Sequence, residues 1–223
     1  MPVHLSEQQL VDCTLNNARN MELFGENFNM GGCNGGWMAT AWYFQSKHGA
    51  MKESDYKYTS GNGSGETACA HNNNKTVGKV SKWSRIRQTE GIDGIKEQLK
   101  KTPMTIAVNA SSGVFQHYKS GVVANSEGCP TGINHAVVLV GYSEAGDDDS
   151  GPNPGPDPTP DPPAGCNVTK WWHSCNDDDR RMLADDNGYE NYWKIQNSWS
   201  ANWGDEGFIL FEIAEGKGVC GMN

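Results

Sequence analysis

The chain has 223 residues and a formal charge of −9, and a fifth of its residues are charged. That length supports one domain or two small ones with an ample core, and with no cluster of basic residues nucleic-acid binding has no electrostatic support. No apolar run reaches about 18 residues and no charged-then-apolar leader opens the chain, so neither a membrane span nor a signal peptide is expected.

From the N-terminus, Ser6 and Gln9 stand at capping-box spacing and predict a helix that ends near Cys13. Gly35 and Gly36 lead into a second predicted helix, Trp37 to His48, stopped by Gly49. The Gly- and Asn-rich stretch from Ser60 to Asn74 reads as a surface loop. Ile92 to Lys101 predicts a further helix, closed off by Pro103. Residues 104–142 and 192–215 read as strands, with a short helical turn around Ser112 to Lys119.

Two of these runs carry the chemistry. Asn134-His135-Ala136-Val137-Val138-Leu139-Val140-Gly141-Tyr142 and Tyr192-Trp193-Lys194-Ile195-Gln196-Asn197-Ser198-Trp199 are rich in Val, Ile, Tyr and Trp, as neighbouring buried strands are. His135 opens the first and Asn197 closes the second, so antiparallel pairing brings them to the same end. A histidine beside an apolar run is ordinarily a satisfied core residue. With an asparagine partner, it can instead be a base with its orienting group. Nucleophilic catalysis needs an attacking atom, a base and a group that fixes the base; the sequence offers the second and third.

Between the two strands lies an insertion, 143–191. It opens with Asp147-Asp148-Asp149, and seven of the ten prolines fall between Gly151 and Pro163, which predicts an extended, polyproline-like arm. Cys166 and Cys175 then flank a short stretch and are expected to close a small loop of their own. Twelve acidic residues face three basic ones here, so this segment holds the whole −9 and the remainder is neutral. Asp185-Asp186-Asn187-Gly188 suggests a calcium loop, but Leu183 stands where the first ligand belongs. A solvated loop is the favoured reading, and a docking or specificity module is the other. With about 3.3 Å per strand residue, the insertion is rooted about 20 Å from His135.

The motifs together resemble the papain-like cysteine peptidases, the family of the cathepsins. Asn134-His135-Ala136 with Gly141-Tyr142 is similar to its histidine motif. Asn197-Ser198-Trp199-Ser200-Ala201-Asn202-Trp203-Gly204 resembles its asparagine motif, with Ser200 where the family usually has Gly. Leu5 to Cys13, followed by Gly32-Cys33-Asn34-Gly35-Gly36, resembles the segment downstream of its catalytic helix. The resemblance implies an α+β, two-lobed fold: a helical lobe in residues 1–103, and a β-barrel-like lobe in 104–142 and 192–223. It also implies disulfides Cys13–Cys69 and Cys129–Cys220, leaving Cys33 over. His135 and Asn197 would be catalytic. Gly35, Gly36, Trp37, Met38, Ala107, Ile133, Asn134, Ala136 and Trp199 would line the substrate site, with Trp199 also shielding the histidine–asparagine bond.

In that family the nucleophile sits in a C-G-[SA]-C-[WY] motif about 130–150 residues before the histidine. No such motif occurs here. Cys13 is placed at the wrong end of its predicted helix to become a thiolate, and Cys33 matches the substrate-wall loop. The expectation is therefore a peptidase fragment that lacks the central nucleophile-bearing helix, is inactive alone and folds poorly alone. The alternative is a nucleophile-free protein that binds peptides or inhibitors; retention of both His135 and Asn197 favours the peptidase. Peptide or protein substrates and cystatin-type inhibitors are the expected partners, with no cofactor, no nucleic acid and no membrane. No C-x-x-C or C-x-x-H spacing supports a metal. The disulfide framework implies an oxidising compartment, secreted or endolysosomal. Sequons at Asn62, Asn74, Asn109 and Asn167 permit glycosylation there, Asn109 least because it sits in a strand-like run.

Overall fold

A computed structural model describes residues 3–17, 21–23, 26–28, 31–63, 65–125, 128–144 and 191–222. The Cys166–Cys175 loop, the Pro-rich arm and the Asp185–Gly188 stretch lie outside these residues. The described chain forms two compact units, Met1–Arg85 and Ile86–Asn223.

In the first unit α1 spans Glu7–Asn17. Ser6 Oγ accepts from the Gln9 backbone N–H at 3.0 Å, one arm of the anticipated capping box. The other arm is not made. The Ser6 N–H donates instead to Met51 O at 3.0 Å, and the Gln9 side chain turns inward to accept from Met51 N–H and donate to Gly49 O. Cys13 therefore lies inside a helix that runs on to Asn17, rather than at its end, and it is bonded to Cys69.

The buried face of α1 is unusually polar, with Gln8, Gln9, Asp12 and Thr14 almost wholly enclosed. Each is satisfied. Gln8 accepts from the Thr59 and Ser60 amides and donates to Asp12 and Ser60 Oγ. Asp12 accepts from Gln8, the Thr67 amide and hydroxyl, and the Tyr56 hydroxyl. Burial pushes the Asp12 carboxyl up, but those donors outweigh it and hold the group below the usual carboxylate range. Such a network specifies one arrangement because every member must find its partner.

Next come a hairpin, β1 (Met21–Leu23) with β2 (Glu26–Phe28), and α2, Met38–His48. Trp37 is the N-cap of α2, and Gly49 ends it at φ 80°, where a Cβ would stand 2.3 Å from Thr76 Cγ2. Strands β3 (Ala50–Met51) and β4 (Thr76–Gly78) pair antiparallel. The loop between them contains two short 3-10 turns, Ser60–Asn62 and Asn73–Lys75. Cys13, Phe44, Met51 and Tyr56 make the apolar centre of this unit.

The second unit opens with α3, Gly91–Leu99, followed by β5 (Met104–Val108), α4 (Gly113–Gln116), β6 (Val122–Val123), β7 (His135–Ser143), β8 (Tyr192–Gln196) and β9 (Phe208–Glu212). Sheet order is β5-β7-β8-β9-β6, antiparallel except for the β6–β9 pair. Alternation along β7 and β8 sends Val137, Leu139, Trp193 and Ile195 to one face, where they meet Phe115, Ile209 and Phe211. The division between units falls at Arg85/Ile86 rather than near 103. Its cause is visible in α3: Ile92, Ile95 and Leu99 face the second unit's core, so the helix belongs with the sheet. The Cys129–Cys220 disulfide joins this unit's loop to its C-terminal 3-10 turn.

Candidate active site

His135 begins β7 and Asn197 follows the last residue of β8, so the antiparallel register sets them side by side. His135 Nε2 and Asn197 Oδ1 are 2.8 Å apart. The same Oδ1 accepts from the Ser198 backbone N–H at 2.8 Å. A backbone N–H can only donate, so the atom facing it must be the carbonyl oxygen of the side-chain amide. The ring nitrogen facing that oxygen must then carry the hydrogen. His135 is thus held as the Nε2–H tautomer, which leaves Nδ1 as its basic nitrogen. Asn197 is buried, its amide N–H donates to Gly207 O at 2.9 Å, and its Nδ2 finds no partner among the described residues.

Aromatic rings fix the imidazole from the sides. Trp199 lies 5.2 Å from the His135 ring at 36°, and Phe115 lies edge-on at 6.1 Å. Phe115 also contacts Trp199 and Trp203, and Trp203 Nε1 donates to Gln116 O, tying the loop after β8 to α4. Trp199 was expected to shield the histidine–asparagine bond, and its ring lies beside the imidazole. Phe115 was not anticipated, because a single Phe in a four-residue helix gives no periodic signal; Trp203, four residues beyond Trp199, could have been noticed as its companion.

Ser200, like Glu206 at φ 50° in the same loop, is a non-glycine residue with positive φ. It adopts φ 72°, the left-handed region that glycine enters freely and that costs other residues about 1–2 kcal/mol. Its carbonyl accepts from Trp203 N–H, which closes the turn carrying both tryptophans.

Of the expected substrate residues, Gly35, Gly36, Trp37 and Met38 lie in the first unit and Ala107, Ile133, Asn134, Ala136 and Trp199 in the second. Ala107 and Ala136 are register partners one step from the Val108–His135 pair, and Ile133, Ala136 and Trp199 are exposed. Asn134 is exposed. Its side chain accepts from Ala110 N–H at 2.9 Å and donates to Ser111 Oγ at 2.5 Å, so it braces the loop after β5. A hollow of about 210 Å³ is bordered by Thr105, Ala136, Val138, Asn197 and Ser198; Ala107, Ile133, Asn134 and Trp199 do not border it. In the first unit Trp37 is exposed, and Gly35 has φ 96° with open space where a Cβ would stand.

The disulfides Cys13–Cys69 and Cys129–Cys220 are formed, while Cys33 is an exposed free thiol whose backbone N–H donates to Glu66. Among the described residues no group of three or more His, Cys, Asp or Glu side chains could hold a metal ion, and no helix is long and apolar enough to cross a membrane.

Comparison with known proteins agrees with this geometry. The sequence profile of the papain family cysteine proteases matches residues 1–223. Cysteine proteinase 2 of Dictyostelium discoideum is 32% identical over 99% of this chain and 53% of its own length. Cysteine proteinase 15A of Pisum sativum is 31% identical over 99% of this chain and 48% of its own. The chain thus spans about half the length of the curated relatives it matches. Among solved structures, the bromelain protease from Ananas comosus in complex with the E64 inhibitor is 27% identical, with a TM-score of 0.64 over 99% of this chain and 74% of that one. A Carica candamarcensis cysteine protease, 23% identical with a TM-score of 0.62, shows the same fold. A buried asparagine that fixes one tautomer of a strand-end histidine, an aromatic surround and a profile match along the whole chain converge: this chain belongs to the papain family of cysteine proteases.

Proposed function

We propose that the chain supplies the histidine and asparagine of a cysteine-type peptidase, and that the nucleophilic cysteine lies outside these 223 residues. The observation that carries this reading is the double acceptance by Asn197 Oδ1, which presents His135 Nδ1 as a base. A thiolate–imidazolium pair forms when that nitrogen takes a cysteine's proton, because each charge stabilises the other. The thiolate sulfur bonds to the substrate carbonyl carbon, the imidazolium passes its proton to the leaving amine, and the C–N bond breaks to give a thioester. Water, deprotonated by the same imidazole, then releases the acid and regenerates the thiol. Asn197 holds the ring through both protonation states, since Nε2 keeps its hydrogen throughout.

The residues expected to line the pocket for the substrate residue second from the cut, Trp37, Met38, Ala107, Ile133 and Ala136, are apolar, which favours an apolar side chain at that substrate position. The two disulfides support an oxidising compartment, secreted or endolysosomal. An exposed Cys33 without a disulfide partner among the described residues, and the lack of a C-G-[SA]-C-[WY] motif, support a nucleophile-bearing segment elsewhere in the natural protein.

The test is to read the coding sequence upstream of Met1 in frame, express it with this chain, and follow hydrolysis of a fluorogenic peptide. The expected result is a C-G-[SA]-C-[WY] motif whose cysteine is essential, with His135→Ala equally damaging. A verified in-frame stop just before Met1, or thiol-dependent hydrolysis by the chain alone that Cys33→Ala abolishes, would overturn it. The stop codon would leave a peptide or inhibitor binder as the surviving reading.

A further inference from the structure

We infer that Asn74 is a site of N-linked glycosylation, and that Thr76 carries its hydroxyl for that modification rather than for the fold. Asn74-Lys75-Thr76 is a sequon. The Asn73–Lys75 turn is set by Asn72, whose side-chain oxygen accepts from the Asn74 N–H at 2.9 Å, and the Asn74 side chain is exposed. Nothing in the turn encloses it.

Thr76 supplies the second, independent observation. It begins β4, paired with Met51, and its methyl packs against Gly49 where that glycine ends α2. Its hydroxyl is buried and makes no hydrogen bond among the described residues. A buried unpaired hydroxyl is a cost that valine, with the same branched shape, would not carry. The fold uses the branch and the methyl; it has no use for the oxygen. Sequon recognition does, since it reads a hydroxyl two residues after the asparagine while the chain is still extended.

The other sequons sharpen the assignment. Asn109 is buried, its side chain accepts from Ser111 N–H and donates to Gly132 O, and its own N–H donates to Cys220 O, so a sugar there is incompatible with this fold. Asn62 is exposed, but Ser64 of its sequon lies outside the described residues, as does the whole of the Asn167 sequon. The disulfides on both units form in the compartments where such transfer occurs. In the step, Asn74 Nδ2 bonds to the anomeric carbon of a lipid-linked oligosaccharide. The anomeric C–O bond to the lipid pyrophosphate breaks, the lipid pyrophosphate leaves with the electron pair, and Nδ2 gives up one proton.

The chain is to be expressed behind a cleavable secretion leader in a eukaryotic cell and its peptides weighed before and after an amidase that removes N-glycans. The readout is mass in total cell material, so it depends neither on peptidase activity nor on the folding of a variant. Asn74 should be modified in the unsubstituted chain and in Thr76→Ser, and unmodified in Asn74→Gln and Thr76→Val; folded material should carry no glycan at Asn109. An unmodified Asn74 in the unsubstituted chain would overturn the assignment. After deglycosylation, Thr76→Val should melt no lower than the parent. A lower melting temperature would show that the hydroxyl serves the fold after all.

Discussion

Replacing Asn197 by alanine removes one oxygen that two donors share at 2.8 Å, His135 Nε2–H and Ser198 N–H. A typical intramolecular hydrogen bond contributes about 0.5–1.5 kcal/mol net, so the pair is worth roughly 2 kcal/mol, or about thirtyfold in the population of the correctly held ring. The loss is bounded, because Trp199 at 5.2 Å and Phe115 at 6.1 Å still flank the imidazole, and aromatic contacts of this kind add about 0.5–1.5 kcal/mol each. In the enzyme completed with its nucleophile, kcat/KM of a short peptide should therefore fall about 10–100-fold, mostly in kcat. In that completed enzyme with its nucleophilic cysteine replaced by alanine, ¹⁵N spectra should show His135 as the Nε2–H tautomer in the parent and a tautomer mixture in the variant. The Ser198 amide should also exchange faster. A loss under about threefold would refute the orienting role. A loss beyond about ten-thousandfold would refute the claim that the aromatic rings hold the imidazole by themselves.

Ser200→Gly should stabilise the second unit by about 1 kcal/mol, the strain of φ 72° less the chain entropy of the new glycine, measured by denaturant unfolding. Asp12→Asn should cost the first unit about 2 kcal/mol, because an amide cannot accept from Gln8, Thr67 and Tyr56 together; unchanged thermal unfolding would contradict the network's role. Burial, then His71 and Lys79, hold His48 below the usual 6.5, with the Phe44 and His71 rings against it. The unfolded chain then takes up its proton first, so this stability is complete above 6.5 and is lost as pH falls through the lower folded value; His48→Gln should flatten that slope in unfolding measured between neutral and mildly acid pH. Deleting 150–186 should leave turnover of a short neutral peptide unchanged, since the eight steps of β7 from His135 to Ser143 span about 26 Å; a tenfold fall would show that the insertion reaches the site.

Legibility in the sequence followed how local each cause was. The β7 and β8 runs could be read because their alternation and β-branched content are properties of single segments, and the His135–Asn197 meeting followed from their ends. Gly49 and Pro103 likewise act on their own neighbourhoods. The inward turn of Gln9 could not be read, because a glutamine at N3 satisfies the capping pattern equally well when its amide goes to Met51 and Gly49. The polar floor of α1 was hidden for the same reason: Gln8 and Asp12 look like solvent residues until Ser60, Thr67 and Tyr56 arrive from more than 40 positions away. The parallel β6–β9 pair joins two residues to a strand far along the chain and leaves no periodic trace. The position of α3 also depended on its packing partner, since its apolar stripe says that it packs without saying on what.

The β7–β8 hairpin is held by its ladder, with Leu139, Trp193 and Ile195 fully enclosed and the register running out to Ser143 opposite Tyr192. Such a hairpin does not depend on a tight turn to keep its strands together. The closure entropy of a flexible connection grows only with the logarithm of its length, so even a 46-residue one costs only about 3 kcal/mol more than a two-residue turn. Further lengthening is cheaper still, about 0.6 kcal/mol for each doubling. The far end of this hairpin is consequently a tolerant graft point, where a lineage can lengthen, exchange or recharge a segment, and an engineer can insert a reporter domain or new chain termini, while the strand end that bears the histidine keeps its register.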